Sequence, residues 1–148
     1  MMSELALAAK LHAAVPMLSP AAAQEHAALA IRYRTTELDP ALMLGIAAIE
    51  SDFDPAAVSD PHRGWPRFCG VMQTIARDEA ECAAQGRLDV GYRVGGAELR
   101  QWARICRGDV MCILLGHGCG MRGVRTGRCN GYPERVLRFA ARLRGPAS

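Results

Sequence analysis

The stretch from Leu38 to Gln73 constrains the fold of this chain more than any other segment. Its Asp-Pro pair at 39–40 predicts a helix start, because an aspartate side chain accepts bonds from the first helical N–H groups and proline fits the first turn. The residues that follow are nearly all apolar and place leucine and isoleucine on one helix face. The run ends at Glu50, before an Asp-Pro turn at 54–55. We therefore expect a buried helix that carries one glutamate at its carboxyl end.

Glu50 is the candidate catalytic residue because of these predicted surroundings. Apolar neighbours disfavour the ionised carboxylate and raise its pKa, so that a proton is available near neutral pH. A glutamate at a helix end that faces a polar turn can then act as a general acid. The alternative is an ion pair with one of the many arginines, which is the usual state of an isolated glutamate.

The rest of the sequence predicts an all-α fold, since strand signals are weak throughout. Residues 116–131 are rich in glycine and arginine and are predicted to be irregular. The last predicted helix is amphipathic, with apolar side chains at helical spacing on its inner face. Helices are predicted over 3–15, 19–34, 39–50 and 74–84, from the Gly95-Gly96 pair through Cys106, from Asp109 to Leu115, and from Pro133 onwards.

Size and composition favour one domain over residues 1–148 with a closely packed core. Hydrophobic residues make up 50% of the 148 positions but aromatic residues only 5%. Many of the hydrophobic residues are alanine, so we expect helices that approach one another closely. The net charge is +3 and no basic stripe with interleaved aromatic side chains occurs, so nucleic acid is not an expected partner.

The cysteines predict a disulfide-stapled, loop-rich domain. Their number is six, and an even count in a small domain favours disulfide bonds and an oxidising compartment. Zinc is the alternative, but no Cys-x-x-Cys pair is present and the spacing of His117 and Cys119 is poor for metal ligands. Buried free thiols are a third state, and the sequence does not choose among the disulfide pairings. We expect no metal and no cofactor.

One segment of the chain resembles the catalytic segment of a known family. Leu38-Asp39-Pro40, Glu50-Ser51 and Gly70-Val71-Met72-Gln73 are similar to motifs of the lysozyme-like lytic transglycosylases, the superfamily of soluble lytic transglycosylases and goose-type lysozymes. In that family a Glu-Ser pair closes one helix and Gly-Leu-Met-Gln follows across the cleft. The resemblance spans about a quarter of the chain. It implies a lysozyme-like helical fold with a cleft, and cleavage of the MurNAc–GlcNAc β-1,4 bond of peptidoglycan with Glu50 as general acid and base.

The same resemblance implies four substrate-binding residues. Ser51 orients the substrate or the carboxyl group, or else it caps the helix. Gln73 offers its amide to sugar hydroxyls or to an N-acetyl group. Tyr132 opens a segment similar to the family's Tyr-Val-x-x-Val-Leu, which makes it the partner of Glu50; the alternative is a half-buried tyrosine without a role. His117 replaces the asparagine of the family's Ala-Tyr-Asn-Ala-Gly and can bind a sugar, serve as a base, or be a loop histidine without function.

The type of reaction depends on a second carboxylate. Hydrolytic glycosidases use two carboxyl groups, whereas the lytic transglycosylases use one and close the muramic 6-hydroxyl onto C1 without water. Asp60 is the candidate second carboxylate, because its loop is similar to an aspartate- and aromatic-bearing loop of goose-type lysozymes. Trp65 or Phe68 of that loop can stack on a sugar ring or simply anchor the loop. We expect 1,6-anhydro products, with a two-carboxylate muramidase or phage endolysin as the alternative.

Export and partners are the last predictions. The segment from Leu5 to Val15 has no basic n-region and no long apolar run, so it predicts neither a signal peptide nor a membrane span. A cell-wall substrate nevertheless implies action in the periplasm or outside the cell, by phage-type release or after removal of a leader. We expect a monomer whose partner is the glycan strand. Two other classes compete: a non-catalytic glycan- or protein-binding module on the same fold, and a disulfide-stapled interaction protein or effector.

Overall fold

The computed structural model describes residues 1–59 and 64–145 and shows a mostly helical domain with one small sheet. The predominance of helix agrees with the predicted all-α class, whereas the sheet is an addition that the sequence did not predict. The elements are α1 (Glu4–Ala14), α2 (Pro20–Tyr33), α3 (Pro40–Ser51), β1 (Val58–Ser59), β2 (Arg67–Cys69), β3 (Thr74–Ala76), α4 (Glu79–Gln85), α5 (Leu88–Ile105), α6 (Val110–Thr126) and α7 (Tyr132–Arg144).

The central helix is α3, and it carries the candidate acid. Asp39 caps its start, where the side-chain Oδ1 accepts a backbone N–H of the first turn at 2.9 Å. Every residue from Pro40 to Ala47 is buried, as expected for a helix that is apolar all round. Its main neighbours are α7 and α2. Asp52 ends it with a left-handed φ of 52°, a conformation that aspartate tolerates better than most residues.

The helix predicted over 74–84 is wrong at its start, because residues 74–76 belong to a small antiparallel sheet. The strands lie in the order β1-β2-β3, and Phe68 of β2 is directly opposite Ile75 of β3. Thr74 begins the third strand, and Asp78 caps the helix instead, through a 2.9 Å bond from a first-turn N–H. The strands have only two or three residues, which is too short for the alternation of polar and apolar positions to be recognised.

Two helices are longer than predicted, and both contain glycine where the sequence predicts a helix end or irregular chain. Helix α5 begins well before the Gly95-Gly96 pair and contains it, instead of starting after it. A Cβ on Gly95 would lie 2.3 Å from Met72 Sδ, so the absence of a side chain lets α5 approach the segment beside the site. Helix α6 continues past Leu115 through the segment predicted to be irregular, with non-helical dihedrals at Gly120 (φ 64°, ψ −158°).

All six cysteines are paired, which confirms the predicted disulfides and leaves no cysteine for zinc. The first bridge ties β2 to α4, the second ties the end of α5 to α6, and the third ties α6 to the loop before α7. The pairs are Cys69–Cys82, Cys106–Cys112 and Cys119–Cys129.

The core extends from α1 to α7 and is rich in alanine, as the composition predicts. Helix α2, for example, presents Ala23, Ala27 and Ala30 to its neighbours, and all three are completely buried. Small side chains at helical spacing allow the close approach that replaces large aromatic contacts. Within the described residues, no helix is both long enough and apolar enough to cross a bilayer.

Candidate active site

Glu50 opens into a cleft of about 800 Å³ between the sheet and helices α5 and α6. Polar side chains and apolar surface converge there, which is typical of a ligand-binding site. We call it the Glu50 cleft. Its main lining residues are Glu50 from α3, Phe68 and Ile75 from the sheet, Glu98 and Trp102 from α5, and His117 from α6.

The carboxyl group of Glu50 has the electrostatic property of a general acid. Burial raises its pKa, because the charged form loses solvation. The positive charge of His117 and an interaction with the Tyr132 hydroxyl lower the pKa, but they do not cancel the effect of burial. Glu98 adds a smaller increase and Arg135 a smaller decrease. The pKa remains raised overall, so the proton is retained closer to neutral pH than on an exposed glutamate.

Tyr132 begins α7 and directs its hydroxyl toward Glu50. Burial raises the pKa of this hydroxyl, and the negative charge of Glu50 raises it further, so the group is a neutral O–H. The hydroxyl is fully buried and makes no hydrogen bond of good geometry among the residues that the structure describes, but it is close enough to the Glu50 carboxyl to lower the pKa of that group. Buried hydroxyls are rarely left unpaired in folded proteins. A hydroxyl that faces the candidate acid without a well-formed bond is therefore available to the acid or to a ligand.

The buried His117 forms an ion pair with the partly exposed Glu98 beside Glu50. Nδ1 of His117 lies 3.2 Å from Glu98 Oε1, and Nε2 lies 3.0 Å from the Met72 carbonyl oxygen. The same Glu98 oxygen accepts from Trp102 Nε1 at 3.2 Å. Burial disfavours charge on both groups, but their hydrogen bond and attraction outweigh it. They raise the pKa of His117 to about 9 and lower the pKa of Glu98.

Ser51 and Gln73 both donate hydrogen bonds to backbone carbonyls, and Gln73 also lines the cleft. Ser51 Oγ lies 2.7 Å from the Val71 carbonyl oxygen and 3.1 Å from a carbonyl one turn earlier in α3. It therefore ties the end of α3 to the segment across the cleft. Gln73 Nε2 donates to the carbonyls of Ala57 and Gly70, both at 2.9 Å. These bonds leave the side-chain oxygen of Gln73 as the atom that can accept from a sugar hydroxyl.

The structure brings most of the predicted site residues together. Glu50, Gln73 and His117 line the cleft, and Phe68 contributes a half-exposed aromatic ring to it. The Trp65 ring instead lies beneath the Arg67 guanidinium, 4.4 Å from its carbon, so it already has a cation–π partner. Asp60, the candidate second carboxylate, lies outside the described residues. In the ranges 1–59 and 64–145, no group of three metal-ligating side chains converges.

Sequence reasoning did not single out Glu98 and Trp102. The two residues are one turn apart on α5 and therefore share a face. That face borders a stripe of buried positions that includes Leu99 and Gly95. A glutamate and a tryptophan beside a buried stripe are the signal that would have pointed to them.

Comparison of the chain with protein-family models, with curated proteins and with solved structures finds no match. The function must therefore be inferred from the residues of the cleft themselves.

Proposed function

We propose that the protein is a lytic transglycosylase with a lysozyme-like fold, which cleaves the MurNAc–GlcNAc β-1,4 bond of peptidoglycan. The observation that carries the proposal is Glu50, a glutamate with a raised pKa at the end of a buried helix, which opens into a cleft of about 800 Å³. The resemblance of the segment from Leu38 to Gln73 supplies the substrate class. The buried Tyr132 hydroxyl, which faces the acid and lowers its pKa, supports the same function.

The first step is proton transfer to the bridging oxygen. The Glu50 carboxyl gives its proton to this oxygen while the bond to C1 of the muramic sugar breaks, and the electron pair of that bond passes to the leaving GlcNAc hydroxyl. Positive charge develops on the muramic ring, and Glu50 becomes a carboxylate. The Tyr132 hydroxyl is placed to donate a hydrogen bond to that carboxylate, so a contact with Glu50 that is weak at rest strengthens during the reaction.

The second step is an intramolecular bond formation within the muramic sugar. The 6-hydroxyl attacks C1 and gives its proton to the Glu50 carboxylate, which restores the acid and leaves a 1,6-anhydro end. Water is not a reactant in this sequence. The internal hydroxyl is favoured because a tethered and oriented nucleophile has a large effective concentration.

Substrate binding involves both walls of the cleft. Phe68 and Ile75 are cross-strand neighbours, and both side chains are about half exposed, so the sheet offers an apolar surface to the face of a sugar ring. Gln73 offers a side-chain oxygen to a hydroxyl. A monomer that binds one glycan strand is sufficient for this arrangement.

Hydrolysis is a second candidate reaction, and one observation favours it. Glu98 lines the same cleft as Glu50, so a second carboxylate is available without Asp60. However, one Glu98 oxygen already accepts bonds from both His117 and Trp102, and its pKa is lowered, which makes it a weak base for activating water. We therefore favour the reaction with one carboxylate.

The cell wall lies in the periplasm or outside the cell, and we propose that the protein acts there. Three disulfides support this location, because such bonds persist in oxidising compartments.

Clearing of purified cell walls tests the proposed function. We expect wild-type protein to clear the suspension and Glu50→Gln, which keeps the shape but has no transferable proton, to be slower by about 10²- to 10⁴-fold. Glu79→Gln is the matched control, because Glu79 is exposed on α4 and should leave the rate unchanged. A folded Glu50→Gln protein with near wild-type activity would contradict the assignment. If the wild type binds walls without clearing them, the protein is a binding module. If it neither binds nor clears walls, it is an interaction protein.

A further inference from the structure

The imidazole of His117 is held by acceptors on both sides. Its Nε2 faces the Met72 carbonyl, which can only accept, and its Nδ1 faces the Glu98 carboxylate. Both ring nitrogens therefore donate, and an imidazole that donates from both nitrogens is protonated. In this geometry neither nitrogen has a lone pair to accept a substrate proton, and neither is free to bind a sugar. The geometry therefore does not support the roles of base or sugar ligand that the sequence suggested for His117.

Three separate elements build this arrangement. Met72 lies between the second and third strands, Glu98 on α5, and His117 on α6, at sequence distances of 45 and 19 residues from the histidine. The Trp102 indole fixes the Glu98 carboxylate from the next turn of α5. Loss of the proton would leave a lone pair facing either the carbonyl or the carboxylate, which the fold disfavours. The positive charge is therefore a property of the packing.

Glu50 is the group that experiences this charge. The charged and titratable groups that face it are His117 from α6, Glu98 from α5, and Tyr132 and Arg135 from α7. His117 has the largest effect among them, and it favours the ionised carboxyl. Glu98 acts in the opposite direction, so the pair combines a cation that acts on Glu50 with an anion that keeps the cation in place.

We propose that His117, locked as an imidazolium by Glu98 and the Met72 carbonyl, is a fixed positive charge that stabilises the ionised form of Glu50 halfway through the reaction. This inference rests on the proposed function. After Glu50 has protonated the bridging oxygen, the carboxylate must persist until the 6-hydroxyl returns a proton. A neighbouring cation lowers the free energy of that carboxylate. His117 is thus a positioning residue for the acid and base, and Glu98 is its anchor rather than a second catalytic carboxylate.

Titration of the Glu50 carboxyl by carbon NMR tests the inference without any substrate. His117→Gln keeps a side-chain N–H donor but removes the charge, and we expect the Glu50 midpoint to rise by about one pH unit. His12→Gln is the matched control, because His12 also bonds a backbone carbonyl, that of Leu18 at 2.7 Å, but lies on α1 away from the cleft. An unchanged Glu50 midpoint in folded His117→Gln would overturn the proposal.

Glu98→Gln tests the lock itself. The glutamine oxygen can still accept from Trp102 and from His117, but the negative charge is gone. We expect the pKa of His117, followed by proton NMR of its ring, to fall from about 9 by one unit or more. A His117 titration equal to that of the wild type would show that Glu98 does not hold the charge.

Wall clearing separates this inference from the proposed function. If the wild type clears walls, the alkaline limb of the His117→Gln rate profile should shift upward together with the Glu50 midpoint, because activity needs the protonated acid. A lower rate with an unmoved limb would show a merely structural role and overturn the inference. If the wild type does not clear walls, the proposed function fails, and the two titrations still decide whether His117 is a fixed charge acting on Glu50.

Discussion

Two buried histidine–tyrosine pairs lie in different parts of the molecule and have opposite electrostatic character. In the core, His26 of α2 packs edge-on against Tyr92 of α5, and the histidine Nδ1 and the tyrosine hydroxyl are 2.8 Å apart. In the cleft, the rings of His117 and Tyr132 are 6.4 Å apart and share no hydrogen bond among those that the structure describes. The exposed fractions are small in both places, 3% for His26 and 9% for His117.

The partner of each histidine, rather than its burial, decides the difference. His26 has a neutral hydroxyl beside it, so burial prevails and lowers its pKa to about 4. His117 has the Glu98 carboxylate beside it, so its pKa rises to about 9 in spite of burial. The core pair is neutral and satisfied, as expected of a structural contact. The cleft pair holds a charge and a weakly bonded hydroxyl next to an acid, which is typical of a functional site.

Removal of single disulfides should have the largest effect on stability, and it tests whether the cleft pair depends on its neighbouring bridge. Cys119 follows His117 by two residues and Cys129 precedes Tyr132 by three, so their bridge joins the two segments of the cleft pair. The Cys119→Ser/Cys129→Ser and Cys106→Ser/Cys112→Ser variants should each lose about 2–4 kcal/mol of unfolding free energy in denaturant. We expect the first to lose wall-clearing activity as well, measured under conditions in which it is folded. Equal activity of the two variants would show that the third bridge does not support the site.

Dependence of stability on pH should separate the two histidines by sign. His26 has a folded pKa of about 4, below the ordinary histidine value of 6.5, so its contribution is present above pH 6.5 and is lost as the pH falls toward 4. His117 has a folded pKa of about 9, so its contribution is present below pH 6.5 and is lost as the pH rises through 9. Each contribution is on the order of 3 kcal/mol. Denaturant unfolding of the wild type, His26→Gln and His117→Gln from pH 4 to 10 measures both, and losses on the same side of neutrality would contradict the comparison.

Removal of the hydroxyl of Tyr92 or of Tyr132 should have a smaller effect, on stability for the first and on wall clearing for the second. Tyr92→Phe deprives buried His26 of its partner and should cost about 1 kcal/mol of unfolding free energy, with no loss of wall clearing. Tyr132→Phe removes a buried hydroxyl that makes no hydrogen bond of good geometry within the described residues, so the unfolding free energy should change little, whereas the clearing rate should fall. Thermal unfolding and clearing assays on the two variants check this. A destabilised but fully active Tyr132→Phe protein would show that the cleft pair, like the core pair, has only a structural role.

Asp60→Asn should have the smallest effect, within about twofold of the wild-type clearing rate. The proposed reaction uses one carboxylate, and a hydrolytic base would have to lie about 6.5–9.5 Å from the acid to hold a water. Rate measurements on Asp60→Asn beside Glu98→Gln compare the two candidate second carboxylates. An inactive Asp60→Asn protein would contradict the one-carboxylate reaction, because a carboxylate other than Glu50 would then be essential.

The part of the candidate site that could be predicted from the sequence consists of residues that are close together in the chain. The Asp39 cap and the apolar run define α3, and Glu50 lies near its end as expected because both signals are local. Disulfide formation was also predictable from the even number of cysteines, but their pairing was not. The predicted helix start at Thr74 was wrong, because strand pairing with β2 determines the conformation there.

The other half of the site depends on contacts between distant segments. Glu98 and His117 are 19 residues apart and meet only because α5 packs against α6. The sequence predicts that a helix begins at the Gly95-Gly96 pair, yet Gly95 lies inside α5. There the close contact with Met72 requires a residue without a side chain. Local patterns do not report such contacts, and the charge state of His117 follows from them.

Mass spectrometry of the soluble products from purified cell walls distinguishes a transglycosylase from a hydrolase. We expect muropeptides that end in 1,6-anhydro-MurNAc, formed by the wild type and Glu79→Gln and absent with Glu50→Gln. Products that end mainly in reducing MurNAc would contradict the one-carboxylate reaction and identify a hydrolase. No cleavage of the glycan strand at all would contradict the assignment of the Glu50 cleft as a peptidoglycan-cleaving site.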